Sequence, residues 1–555
     1  MTVAKNKFDV VIIGAGPTGL TLANYLGKGG ISVLLLEKLP KIIDYPRGVG
    51  VDDEALRSFQ AIGLAEAVGK HITPFHIARF IRPDGKVLAA IDPRHTPFGW
   101  ARRNAFNQPL VDRVLFEGLA RFPNVTVRFD ADVQSVQDMG GHVAVTMAGG
   151  ETIEAAYLVG CDGGRSMVRE TMDVTFDGKT APKRFIVVDV ANDPIGRPNL
   201  DFVLHRSRPL VSIALPGQIR RFEFGVDDNE VSGDIDITEE AMRAKLRDLF
   251  SEAEIDRLEI IRRRVYTHNA RIASAFRQGR LLIAGDAAHL MPVWQGQGFN
   301  SGIRDATNLG WKLAMVVSGR AGPGLLDSYD VERRDHAKAM VEVSVAMGKI
   351  FAPSGPFLRL ARNLAFSLAA RVPSWRDWIA TMRWKPMPRM RKGALVPARA
   401  IRGEDPVGTI FAQFVVEDAQ GRRLQSDDVF GGGFALISWG SDPTRYFDAD
   451  TAGLLGQMEA GSFTIYPACQ REVVLASSPR STPLFDPDGR VKALFDTLEH
   501  SLFLLRPDRI VGAAGSPIQV ADMVAAMAGA LHQPVERVGG AGASSAGAPH
   551  DVALA

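Results

Sequence analysis

Three glycines placed directly after an apolar strand limit this chain more than any other feature. Phe8 to Ile13 reads as a buried strand that runs into Gly14-Ala15-Gly16-Pro17-Thr18-Gly19, the head of an apolar helix from Leu20 to Gly27. A second apolar strand, Ile31 to Glu37, follows. In such a βαβ unit Gly14 permits the tight turn, Gly16 lets the backbone approach a diphosphate, and Gly19 allows close helix packing. The helix N-terminus favours the phosphate charge. Glu37 closes the second strand ~20 residues on from the glycines, where a carboxylate accepts hydrogen bonds from an adenosine ribose. The pattern demands an ADP-bearing dinucleotide but does not separate NAD from FAD.

A second segment separates them. Leu281 to Ile283 reads as a buried strand, followed by Gly285-Asp286-Ala287-Ala288-His289, Pro292 and Gly296-Gln297-Gly298-Phe299-Asn300, before a helix from about Gly302 to Ser318. A dehydrogenase has no need of this arrangement. Asp286 at a strand end suits the polyol chain of a flavin, and backbone amides from Gly298 to Asn300 suit negative charge on a reduced ring. The expected cofactor is FAD. His289 has no second ligand at metal spacing beyond Asp286, which the flavin claims, so no metal is expected.

At 555 residues the chain exceeds what one core supports. The expected class is α/β: a Rossmann-like FAD-binding domain at 1–180 and 271–382, with a β-rich substrate domain inserted at 181–270. The basic stretch at 383–404 reads as a solvated linker and 405–537 as a separate C-terminal domain with Phe434 to Trp439 central. The Gly/Ala/Ser-rich tail, 538–555, is expected to be disordered.

A net charge of +2 gives no field to recruit nucleic acid or a membrane, so small molecules are the expected partners. Two cysteines, Cys161 and Cys469, exclude a disulfide framework and a CxxC pair. The N-terminus lacks an apolar signal core and no run of eighteen apolar residues occurs, so the chain reads as cytoplasmic. Oligomeric state stays open, a homodimer included.

With its glycine fingerprint, then Cys161-Asp162-Gly163-Gly164-Arg165-Ser166 with Arg169, then the Asp286 segment, the chain resembles the flavoprotein aromatic hydroxylases of the para-hydroxybenzoate hydroxylase type. The resemblance implies that Asp162 and Gly163 serve the flavin and a nicotinamide cofactor, and that Arg47 and Gln108 lie near the flavin phosphates and ribityl chain. Asp44 to Arg47, Val51 to Arg57, Arg102 to Phe106, Val265 to Arg271 and Met291 to Gly298 resemble the branch of that family acting on 3-(3-hydroxyphenyl)propionate and 3-hydroxycinnamate. Ring hydroxylation beside the existing hydroxyl is then implied, with NADH (or NADPH) and dioxygen as co-substrates and a flavin C4a-hydroperoxide as oxygen donor. The C-terminal region, around Leu505 to Asp508, resembles a thioredoxin-like domain without its CxxC.

This chemistry needs a partner for the phenol and a cation for the carboxylate. Tyr266, His268 and His205 are candidates for the first; nothing in the sequence assigns the second. Arg333, Arg334 and His336 read as a solvated or interdomain helix face. Alternatives are a hydroxylase of another phenol, resorcinol-type or polyketide, and a non-enzymatic FAD-bearing redox sensor.

Overall fold

A computed structural model describes residues 7–532 apart from 46, 205–209, 227–230, 233–235, 352–355, 370, 384, 386, 399–404 and 499. The tail at 538–555 and His205 lie outside the described residues. Lys7–Ile13 is the middle of five parallel strands in the order Leu281–Ile283, Thr152–Gly160, Lys7–Ile13, Val33–Leu36, Val125–Arg128. Strands covered on both faces read as unbroken apolar runs, which is why Val10 to Ile13 and Val33 to Leu36 show no alternation. The helices Pro17–Lys28 and Gln297–Val317 pack against each other beside this sheet. The second helix starts five residues before the expected Gly302, because Gly296 takes a left-handed φ of 62° and turns the chain into it.

An eight-stranded sheet forms the second layer: His289–Leu290, Ile260–Ala273, Phe176–Val190, Ile219–Val226, Leu210–Leu215, Leu200–Val203, Ala78–Ile81, Val87–Ile91. The last two strands correct the assignment of 1–180 to the nucleotide domain. Leu200–Val203 would otherwise be an open edge; Ala78–Ile81 pairs with it in parallel, and Phe80 and Ile91 enter the same core as Phe202 and Ile213. The expected boundaries at 181 and 270 also fall inside two long strands, Phe176–Val190 and Ile260–Ala273, which pair with each other and run from one domain into the next.

The C-terminal sheet has Ala435–Trp439 flanked by Gly461–Pro467 and Thr482–Asp486 in parallel, and by the antiparallel pair Leu502–Leu505 and Val511–Gly515. Two buried ionic contacts dock it. Arg506 donates to both oxygens of Glu332 at 2.7 and 2.9 Å, and Lys312 donates to the same carboxylate at 2.7 Å. Burial alone would raise Glu332, but Arg506 and Lys312 outweigh it and hold the carboxyl well below its usual range. Arg57 grips Asp427 through two bonds of 2.6 and 2.9 Å. Glu332 lies on the helix Leu325–Phe351, whose far end, Met347 and Phe351, lines the main cavity.

Two expectations of solvated charge are overturned. Lys385, in the supposed linker, is buried and pairs with Asp52 at 3.1 Å and Glu54 at 3.5 Å, while Ala394 is fully buried and donates its amide to Glu332. Adjacent buried carboxylates at Asp52 and Glu54 require cations, which Lys385 and Arg304 supply. Arg333 is buried too, donating to Asp305 at 2.8 Å. No helix among the described residues is long and apolar enough to cross a membrane.

Candidate active site

One cavity of about 710 Å³ lies between the two layers, lined by Gly16, Arg47, Gln108, Tyr266, His268, Asp286, Gly298, Phe299 and Asn300 among others. Its nucleotide end is made of backbone. Gly14 has a φ of 106°, and a Cβ there would strike the Cys161 carbonyl, so the glycine turn and the Asp162 loop interlock. A Cβ on Gly16 would meet nothing within 4 Å. Gly16 therefore faces open space, at the start of a helix with no side-chain cap and with Pro17 in its first turn. Glu37 accepts from the amides of Ala15 at 2.8 Å and Leu39 at 3.0 Å, which fixes its carboxylate at the strand end.

The two acidic loops are braced together. Arg169 donates to the Gly164 carbonyl at 3.0 Å and to the Ala287 carbonyl at 2.9 Å. Asp162 accepts from the amides of Met167 and Val168, while its other oxygen, Oδ1, is buried without a partner; burial raises its pKa. Asp305 takes the Gly285 amide at 3.0 Å and His289 Nε2 at 2.7 Å. Burial would raise Asp305, but His289 and Arg333 bring it down to about 2. His289 thus serves a carboxylate on the next helix. Asp286, half-exposed on the cavity, lies 3.3 Å from Arg47.

Gln108 and Asn300 act on loops. The Gln108 side-chain oxygen accepts from the Arg47 amide at 3.1 Å and its nitrogen donates to Asp112, whose pKa burial pushes up to about 7. Asn300 ties Gly50, Gly296 and the Asp52 amide at 2.8 to 3.1 Å. Pro292 opens the short turn Val293–Gln295, and Phe299 packs on Phe106 with ring centroids 4.7 Å apart. Gly14, Gly19, Glu37, Asp162, Gly163 and Pro292 shape these loops without lining the cavity. Two uncapped helix starts, at Gly16 and Gly296, open on one groove that ends in half-exposed Asp286. That donor set fits the diphosphate, polyol and ring of FAD.

The other end is made of side chains. Tyr266 donates to Glu223 at 3.1 Å. Burial raises Glu223, partly offset by Arg221, and burial raises Tyr266 well above a free phenol. Arg221 sits opposite Asp189 in the strand register and binds it at 2.7 and 2.9 Å; it also donates to the Arg47 carbonyl at 3.1 Å. His268 stacks on Phe185 at 4.5 Å and meets the Trp294 ring edge-on at 4.9 Å. Its Nε2 is buried without a partner, and burial lowers its pKa to about 4. Leu200, Phe202, Val211, Ile213 and Phe351 give an apolar wall.

Sequence reasoning missed Glu223, Arg221, Asp305 and Trp294. The available signal was charge inside strand-like runs, as in Arg220-Arg221-Phe222-Glu223, where every residue is buried.

A profile of the FAD binding domain matches residues 7–344, and one of the HcaD C-terminal domain matches 408–530. The chain superposes on the flavin-dependent monooxygenase PieE in complex with FAD and substrate with a TM-score of 0.79, at 23% identity over 95% of this chain and 99% of that one. For p-nitrophenol 4-monooxygenase PnpA from Pseudomonas putida the TM-score is 0.62, at 26% identity, covering 68% of this chain and 98% of that one. Fold and site together define an FAD-dependent aromatic hydroxylase. A 3-(3-hydroxy-phenyl)propionate/3-hydroxycinnamic acid hydroxylase of Mycobacterium sp. (strain JLS) is 45% identical over 94% of this chain and 92% of its own length. One of Klebsiella pneumoniae (strain 342) is 45% identical, covering 94% of each. The chain belongs to the family of 3-(3-hydroxyphenyl)propionate/3-hydroxycinnamate hydroxylases.

Proposed function

We propose that this protein hydroxylates 3-(3-hydroxyphenyl)propionate, and 3-hydroxycinnamate, at the carbon beside the phenol to give the 2,3-dihydroxy product, as a step in aromatic catabolism. The observation that carries the reading is the Tyr266–Glu223 pair in a cavity with an apolar wall. The Tyr266 proton is already committed to Glu223, so its oxygen is left to accept from a substrate phenol. As Tyr266 takes that proton it passes its own to Glu223, whose burial favours the protonated form. The phenolate so formed is electron-rich at the neighbouring carbon. Neutral His268 offers a second contact to the same oxygen, held square by Phe185 and Trp294.

When bound, FAD reduced by NADH (or NADPH) supplies with dioxygen the electrophilic oxygen that this carbon attacks. Asp286 and Arg47 would hold its polyol and phosphates, and the amides after Gly296 would stabilise negative charge on its ring. The apolar wall and Phe351 exclude water, which suppresses wasteful release of peroxide. The partners in this reading are small molecules, and two unpaired cysteines suit the cytoplasm. We read the C-terminal domain as a thioredoxin-type sheet kept for packing, because exposed Cys469 has no second cysteine in its domain.

The test is oxygen uptake by the purified FAD-loaded protein with NADH, with and without 3-(3-hydroxyphenyl)propionate, and product analysis by mass. A dihydroxy product formed in step with NADH consumed supports the substrate; NADH oxidation yielding only peroxide refutes it.

A further inference from the structure

Most charged residues on the cavity wall are paired, while Arg264, also on the wall, is solvent-exposed. Arg47 meets Asp286, Arg221 and Arg262 share Asp189, Arg102 faces Asp53 and Lys385 bridges Asp52 and Glu54. Arg103 differs. It donates Nε to the His76 carbonyl at 3.2 Å, and His76 returns its amide to the Arg103 carbonyl at 2.9 Å, but among the described residues no carboxylate approaches the guanidinium. His76 is 4% exposed and its Nε2 has no partner. Both residues line the cavity beside Ile91, Leu200 and Phe202. A partly buried arginine without a counter-ion, locked to a buried histidine with a spare ring nitrogen, carries an unsatisfied demand for an anion.

Resting on the hydroxylase reading above, we propose that Arg103 and His76 form the subsite that binds the substrate's carboxylate and thereby set the preference for phenolic acids over uncharged phenols. The guanidinium supplies paired donors for the two carboxylate oxygens and His76 Nε2 supplies a third. Burial lowers Arg103 to about 10, which leaves it a cation at neutral pH, and burial with the Arg103 charge lowers His76 to about 3, which keeps it neutral. The positive charge at the site is therefore one, matched to one carboxylate. Tyr266 and His268 stand on Ile260–Ala273, whereas Arg103 directly precedes Asn104–Phe106 and His76 follows Ile72–Pro74. The phenol and the carboxylate are thus read by separate elements around one ring, which makes the distance between the two groups a specificity determinant.

The test uses the full-length, FAD-loaded protein and compares dissociation constants for 3-(3-hydroxyphenyl)propionate and 3-propylphenol, which replaces the carboxylate by a methyl group, from perturbation of the flavin absorbance. Wild type should favour the acid. In Arg103→Gln the ratio of the two affinities should fall by about 30-fold, the scale of a lost charged hydrogen-bond pair. Arg103→Lys should restore part of the ratio, and His76→Phe should lower it by about 5-fold, the scale of one hydrogen bond. If Arg103→Gln does not fold, the lysine and phenylalanine variants decide the matter. A ratio unchanged in the variants, or a wild type without preference for the acid, overturns the subsite. Preferential binding of the acid without its hydroxylation would instead overturn the functional reading and leave the subsite standing.

Discussion

The two ends of the cavity are built on opposite plans. At the nucleotide end, glycine backbone and helix starts would meet the ligand, and the polar side chains there, Gln108, Asn300 and Glu37, spend their hydrogen bonds holding loops. At the substrate end, side chains on strands and on the loop beside them face the cavity with capacity to spare, His268 and His76 each with an orphaned ring nitrogen. A site for a resident cofactor is thus fixed by conformation, and a site for a passing substrate by chemistry. Substitutions at the first end should act as all-or-none on flavin content, and those at the second should be graded on turnover with flavin retained.

The largest effect is expected for Gly14→Ala, where a Cβ at a φ of 106° collides with the Cys161 carbonyl. The protein should purify colourless, and a yellow variant would break the contrast. Asp286→Ala should likewise purify largely without flavin, read from the absorbance ratio of flavin to protein. Tyr266→Phe should remain yellow yet lose on the order of 100-fold in kcat, the usual scale of a positioned acid–base group, with more peroxide released per NADH. Loss of flavin from this variant would erase the distinction between the two ends.

A smaller effect sharpens it. Burial raises Asp112 from 3.8 to about 7, so the folded state binds the proton more tightly than the unfolded chain. The stability this contributes is complete below about pH 4 and is lost as pH rises through about 7. Asp112→Asn should therefore gain on wild type between those limits in thermal melts of the flavin-loaded protein. Parallel melting curves across that range would show that Asp112 does not titrate there.

The nucleotide end was largely legible in the sequence because its requirements are local. Gly14, Gly16 and Gly19 sit within six residues, and each is demanded by a turn or a close approach. The substrate end was not, because its pairs are made by sheet register. Asp189 and Arg221 become partners only when Phe176–Val190 aligns with Ile219–Val226, and Tyr266 finds Glu223 through the same sheet. Lys385 misled for a related reason. A basic run predicts solvent by default, and only the fold brings Asp52 and Glu54 beneath it. Of the candidate phenol partners, Tyr266 and His268 lie together on the cavity with ring centroids 5.2 Å apart, and Phe185 packs against both.

The helix Leu325–Phe351 has one end clasped by Arg506 and the other set in the wall against which a substrate would rest. It is a beam shared by two rooms. Damage to the outer domain at Arg506 should therefore reach the wall at Met347 and Phe351, and trimming the chain to its catalytic part should loosen the hold on what it oxidises.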